Sequence, residues 1–100
     1  MEIKHIATAG TLESSDAMVT IENIEKGIEL SITSPVIHQF GEQIRRVVLD
    51  TLSNLDVKNV RVTVVDKGAL DCTLKARVEG AVFRAADSSE SHIPWGGVVR

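Results

Sequence analysis

The chain has 100 residues, 43% of them hydrophobic, and a formal net charge of −3. That is the size of one domain with a modest core that needs no metal or disulfide staple, and the core must be aliphatic because aromatics make up 3% and tyrosine is absent. The acidic balance argues against a nucleic-acid partner, which calls for a basic patch; the single cysteine, Cys72, excludes an internal disulfide and a cysteine-rich zinc site; and no apolar run is long enough to span a bilayer.

The first residues, Met1-Glu2-Ile3-Lys4-His5, lack the basic start and apolar run of a signal peptide, so the expected location is cytoplasmic with no membrane partner. Residues 3–12 are apolar with weak alternation and end in a polar turn, Glu13–Asp16. Residues 17–22 alternate apolar and polar through Ala17, Val19 and Ile21, the pattern of a half-buried strand. Glu25-Lys26-Gly27 is a turn signal, and Ile28, Leu30 and Ile32 alternate again. Two alternating strands around a short glycine-containing connection predict a β-hairpin.

At Ser34-Pro35 the period changes. Serine is a good N-cap and proline is tolerated at the first helical position. Ile37, Phe40, Ile44, Val47, Val48, Thr51 and Leu52 then fall at helical spacing, predicting a helix from about 35 to 54. Val60-Arg61-Val62-Thr63-Val64-Val65 is the clearest strand, closed by Asp66-Lys67-Gly68. Leu70, Leu74, Val78, Ala81, Val82 and Ala85 trace a second amphipathic helix, with Asp66 or a neighbour as its cap and Gly80 inside it. Residues 87–100 are polar, then glycine-rich, which predicts a flexible C-terminal tail behind a domain of residues 1–86. The expected fold is α+β: a small single-domain sandwich, order β-β-β-α-β-α, with a mainly antiparallel sheet and two helices on one face.

Little in the chain can carry chemistry. His5, His38 and His92 share no metal-ligand spacing, so no metal site is expected. Cys72 has no CxxC partner, and packing in its helix is the expected role. No glycine belongs to a phosphate-binding loop motif. Ser14 and Ser15 remain. A serine nucleophile needs a base within reach and a group to orient that base, and nothing in the sequence points to either, so no catalytic residue is assigned. A serine that receives a group from another enzyme needs only exposure, a pliant backbone and recognisable flanks. Glu13-Ser14-Ser15-Asp16 meets those requirements.

Three stretches carry a resemblance. They are Ala9-Gly10-Thr11-Leu12-Glu13-Ser14 followed by Asp16, Gln39-Phe40-Gly41 leading to Ile44-Arg45, and Asp66-Lys67-Gly68-Ala69-Leu70-Asp71-Cys72 followed by Ala76-Arg77. With the weaker Pro94-Trp95 pair, they make the whole chain resemble the acyl carrier protein (gamma) subunit of citrate lyase. The resemblance implies a non-catalytic carrier whose serine after the Leu-Glu pair holds a covalently bound 2'-(5''-phosphoribosyl)-3'-dephospho-coenzyme A through a phosphodiester. Carried over, that residue is Ser14. Ser15 stands where the family often has glycine or asparagine, which favours Ser14, although a slip of one residue would move the attachment to Ser15. The arm's thiol would hold acetyl and citryl thioesters while citrate is cleaved to oxaloacetate and acetate. The implied partners are the alpha and beta subunits, a dedicated prosthetic-group transferase working from a triphosphate-linked precursor, and an acetate ligase.

Glu13 and Asp16 are candidates for presenting Ser14 to a basic partner site. Asp66–Cys72 has two readings: a strand-to-helix junction that fixes the fold, which is favoured, and a docking surface with Lys67 as its test residue. Two other classes compete with the carrier. One is a small cytoplasmic interaction module without a cofactor; the other, an autonomous small enzyme, is weakest because no base, metal site or nucleophile pair is visible.

Overall fold

The computed structural model describes residues 2–86. Four strands and two helices follow one another as β1 (Ala7–Gly10), β2 (Ala17–Asn23), β3 (Ile28–Thr33), α1 (Ile37–Asn54), β4 (Val60–Asp66) and α2 (Asp71–Ala85). The β-β-β-α-β-α order and the α+β class are those expected from the sequence. The expected tail at 87–100 lies outside the described residues.

The strands form one sheet in the order β1-β2-β4-β3. β1 pairs antiparallel with β2, and β2 antiparallel with β4, while β3 lies parallel to β4. The predicted hairpin between the second and third strands does not form. β4 sits between them, and Val60 is opposite both Asn23 of β2 and Ile28 of β3. The reason is the apolar content of β4. Val60, Val62 and Val64 are all fully buried, whereas β3 is half exposed along its length, so β4 takes the centre and β3 the edge. Residues 24–27 therefore span the end of β4, held by Val60 N–H donating to Gly27 O at 2.9 Å and Gly27 N–H donating to Asn59 Oδ1 at 3.1 Å. β3 and β4 can run parallel because α1 supplies the long crossover such a pair requires.

One sheet face carries Ala17, Val19 and Ile21 of β2 with Val60, Val62 and Val64 of β4, all with 0% exposure. These residues form a single core with Ile44, Val48 and Leu52 of α1 and Leu74, Val78 and Val82 of α2. The opposite face carries Thr8, Thr20, Thr63, Arg61, Glu22 and Glu29, and Arg61 bridges the two glutamates at 3.0 and 3.3 Å.

The predicted helices differ from the observed ones in detail. Ser34 does not cap α1, whose N-cap is Val36. Its hydroxyl donates instead to Asp66 Oδ2 at 2.8 Å and accepts from Val36 N–H at 3.1 Å, tying the start of α1 to the end of β4. Phe40 has the helical spacing of a core residue yet is 46% exposed. The second helix is buried on more than one side, since every residue from Val78 to Phe83 is buried. Part of that cover is the N-terminal segment: Lys4 and His5 N–H both donate to Ala85 O, at 2.9 and 3.1 Å, and Ile3 is buried. Cys72, expected to pack within its helix, is exposed.

Candidate functional site

Among the described residues, the connection between β1 and β2, residues 11–16, brings the candidates Glu13, Ser14, Ser15 and Asp16 together, with Lys67 alongside. It begins at Gly10, whose φ of +94° suits glycine, and a Cβ there would collide with the Ala17 carbonyl oxygen. The chain can therefore leave β1 sharply and close to its return point. Ser15 holds a left-handed conformation with φ 66°, a region where glycine and asparagine cost less than other residues. This explains physically why those two types suit the position.

Hydrogen bonds fix the loop from both sides. Glu13 N–H donates to Thr11 Oγ1 at 3.2 Å, and Asp16 N–H donates to Glu13 O at 3.1 Å. Ser15 N–H donates to Lys67 O at 2.8 Å, and Lys67 N–H donates to Asp16 O at 2.9 Å, so the β2–β4 ladder runs on into the loop. Leu12, Glu13, Ser14 and Ser15 nevertheless remain exposed. The bonds that hold the loop run through Thr11, Glu13, Ser15, Asp16 and Lys67, and Ser14 stays exposed in a braced turn.

Asp16 anchors this arrangement. Its Oδ1 accepts from Arg77 Nε at 2.8 Å and from Ala17 N–H at 2.7 Å. Its Oδ2 accepts from Arg77 Nη2 at 3.1 Å and from the Thr11 hydroxyl at 2.6 Å. The paired guanidinium, then the Thr11 hydroxyl and the Ala17 N–H, hold the carboxyl well below the usual carboxylate range. The same pairing raises Arg77 above its ordinary value. With its side chain 13% exposed, Asp16 is an internal strut, not a charge displayed at the surface.

The other candidates separate cleanly. Glu13 is exposed beside Ser14. Lys67 lies against the loop through its backbone, at an exposed position. The Asp66–Cys72 segment is the junction that the sequence suggested and also the platform on which the loop rests. Asp66 is buried, with Oδ1 accepting from Ala69 N–H at 2.9 Å and Oδ2 accepting from Ser34. Residue-by-residue reading missed Arg77 and Thr11. The available signal for Arg77 was a charge wedged between Leu74 and Val78, both buried. Its partner lies 61 residues away and gave no local sign. Among the described residues no cluster of histidine, cysteine or carboxylate side chains could hold a metal ion.

Comparison with known proteins decides between a carrier and other small α+β domains. A family model described as malonate decarboxylase delta subunit (MdcD) matches residues 4–85. A citrate lyase acyl carrier protein of Vibrio cholerae serotype O1 is 57% identical over 96 residues, covering 95% of this chain and 96% of the relative. The chain belongs to the citrate lyase acyl carrier protein family. Further members are the citrate lyase acyl carrier proteins of Lacticaseibacillus casei, 54% identical over 88 residues and covering 88% of this chain and 87% of the relative, and of Oenococcus oeni, 48% identical over 95 residues and covering 95% and 97%. Family membership makes this chain a non-catalytic carrier subunit. No helix among the described residues is long and apolar enough to cross a membrane.

Proposed function

We propose that this chain is the acyl-carrying subunit of a citrate lyase complex and that the Ser14 hydroxyl is where its 2'-(5''-phosphoribosyl)-3'-dephospho-coenzyme A arm is joined. The observation that carries the reading is an exposed serine in a loop whose far end is fixed twice, by Asp16 to Arg77 of α2 and by Ser15 and Asp16 to Lys67 just after β4. The site fits the group. A hydroxyl clear of the loop's own hydrogen bonds leaves room for a large substituent, and no base is needed in the chain because the transferase supplies one.

Loading is a phosphoryl-group transfer. Ser14 Oγ attacks the phosphorus nearest the ribose of a triphosphate-linked precursor, forming a phosphodiester. The bond to the next phosphate breaks, pyrophosphate leaves, and the serine proton passes to the transferase or to solvent. When attached, the arm supplies a terminal thiol that carries acyl groups as thioesters. The chain itself contributes tethering. Holding one end of the arm on a fixed loop gives its other end a high effective concentration at two successive active sites, those of the alpha and beta subunits. An acetate ligase would restore the acylated arm, and the whole system would work in the cytoplasm.

Recognition of the loop falls to groups that remain free to meet a partner. Glu13 presents a carboxylate next to Ser14, and the net charge of −3 favours approach to a basic surface. Asp16 contributes by holding Ser14 in place through its tie to Arg77. Lys67 offers a cation at the edge of the same platform. Lys67→Ala is expected to leave stability within about 0.5 kcal/mol of wild type, as surface changes usually do, and to weaken binding to the alpha–beta assembly in titration calorimetry. Equal affinity would remove Lys67 from the recognition surface.

The carrier reading is tested by peptide mass analysis of the protein isolated from its native complex. The peptide containing Ser14 should carry a nucleotide-sized adduct with a free or acylated thiol. An unmodified peptide from cells actively cleaving citrate would favour the interaction module instead.

A further inference from the structure

Two adjacent exposed serines offer the same chemistry, and we infer that Arg77 is the positioning residue that selects Ser14 over Ser15. The inference rests on the carrier reading and adds what determines the acceptor. Arg77 touches both ends of the six-residue loop. At the start, its Cδ lies 3.0 Å from where a Gly10 Cβ would stand, so the arginine stem runs against the bare backbone there. At the end, its guanidinium grips both oxygens of Asp16, at 2.8 and 3.1 Å. The stem and fork are held by a rigid support, since the flanking Leu74 and Val78 of α2 are buried at 2% and 0% exposure.

With both ends set against one side chain, the loop has one register. Ser15 is drawn down by its N–H bond to Lys67 O, and Ser14 is left at the tip. A slip of one residue would bring Ser15 to the tip. It would also carry the Asp16 carboxylate away from Arg77, from the Thr11 hydroxyl and from the Ala17 N–H. The bidentate fork is what makes the register strict. A lysine in that place would attract Asp16 as a point charge without fixing its orientation.

The test is transfer of the arm by the family's transferase from its triphosphate-linked precursor to the full-length chain. Kinetics are followed by release of pyrophosphate, and the modified serine is located by fragmentation mass spectrometry. Wild type should be loaded on Ser14 alone. Arg77→Ala should lower kcat about tenfold or more, as misplacement of a reacting group does, with KM within about twofold because the docking surface is intact. Some of its adduct should appear on Ser15. Arg77→Lys should fall between the two, and it keeps the inference testable if Arg77→Ala does not fold. Ser15→Gly, which suits the left-handed position, should load Ser14 at the wild-type rate.

A purely structural role for Arg77 would shrink the folded fraction and raise the apparent KM without moving the adduct. Exclusive loading of Ser14 at wild-type kcat in both Arg77 variants overturns this inference alone. A wild-type chain loaded on Ser15 overturns this inference and the Ser14 assignment, and a wild-type chain that takes no adduct on either serine overturns the carrier reading as well.

Discussion

Ser14→Ala is expected to abolish loading of the arm and, with it, citrate cleavage by a complex reconstituted from the alpha and beta subunits. The melting temperature should move by no more than about 2–4 °C, the shift that roughly 0.5 kcal/mol produces in a domain of this size. The two halves of the result follow from different parts of the structure. The loss of function is complete because the proposed attachment has no second acceptor in register: Ser15 is tied down by its N–H bond to Lys67 O at 2.8 Å. The stability is unaffected because the loop is held by Thr11, Asp16, Lys67 and Arg77, while Ser14 stays exposed. Loading is read by intact mass and turnover by oxaloacetate formation. Residual turnover above that of a complex lacking the carrier would sink the assignment. A large fall in melting temperature would instead give Ser14 a structural role that its exposure does not suggest.

How much of this was legible in the sequence depended on whether the deciding interaction was local. α2 and β4 show clear periodicity because their buried faces are set by spacing within the element, and both appear where expected. The predicted hairpin failed because its evidence was local while the competition was not. β2 and β3 each pair better with the valine-rich β4 than with one another, and nothing between residues 17 and 33 contains that information. Ser34 misled for a similar reason. Its hydroxyl had a nearby helix to cap, yet the buried Asp66 carboxylate, 32 residues on, is a charged acceptor and captures it. Phe40 has core spacing but sits in the first turn of α1 and remains half exposed.

The candidate site divides along the same line. Ser14 was legible as an exposed residue of a polar turn, since exposure and turn chemistry are local properties. Its preference over Ser15 came from resemblance, and the structure adds the backbone reason in the positive φ of Ser15. The role of Asp16 was not legible. A carboxylate in an acidic turn reads as solvated surface, and only the folded chain brings Arg77 of α2 against it. The stretches at 9–16, 66–72 and 76–77 that carry the resemblance thus acquire a common purpose: they are the loop, its platform and its clamp.

Asp16→Asn is the substitution that separates the clamp from the rest of the fold, and it is expected to cost about 2 kcal/mol at pH 7. The estimate lies below the 3–5 kcal/mol of a fully buried broken pair because Arg77 is 39% exposed and solvent screens it. Asparagine keeps the shape but removes the charge, and it turns one acceptor into a donor facing Arg77 or Thr11. The pH dependence gives the result its signature. The folded carboxyl is held below the ordinary value of 3.8 that the unfolded chain keeps. Its contribution is therefore fully present above about pH 5 and is lost as pH falls through and below the unfolded value, where the unfolded state binds the proton first. Urea denaturation of both proteins should show a constant gap from pH 7 to 5 that narrows toward pH 3 and below. A gap that stays constant into acid would mean that the charge of Asp16 is not what stabilises the loop. A gap absent at pH 7 would mean that the Arg77 fork carries no net free energy. Because the same pair sets the register of the loop, the asparagine variant should also load Ser14 more slowly at pH 7 than wild type at equal folded concentration, linking the stability of six residues to the delivery of one hydroxyl.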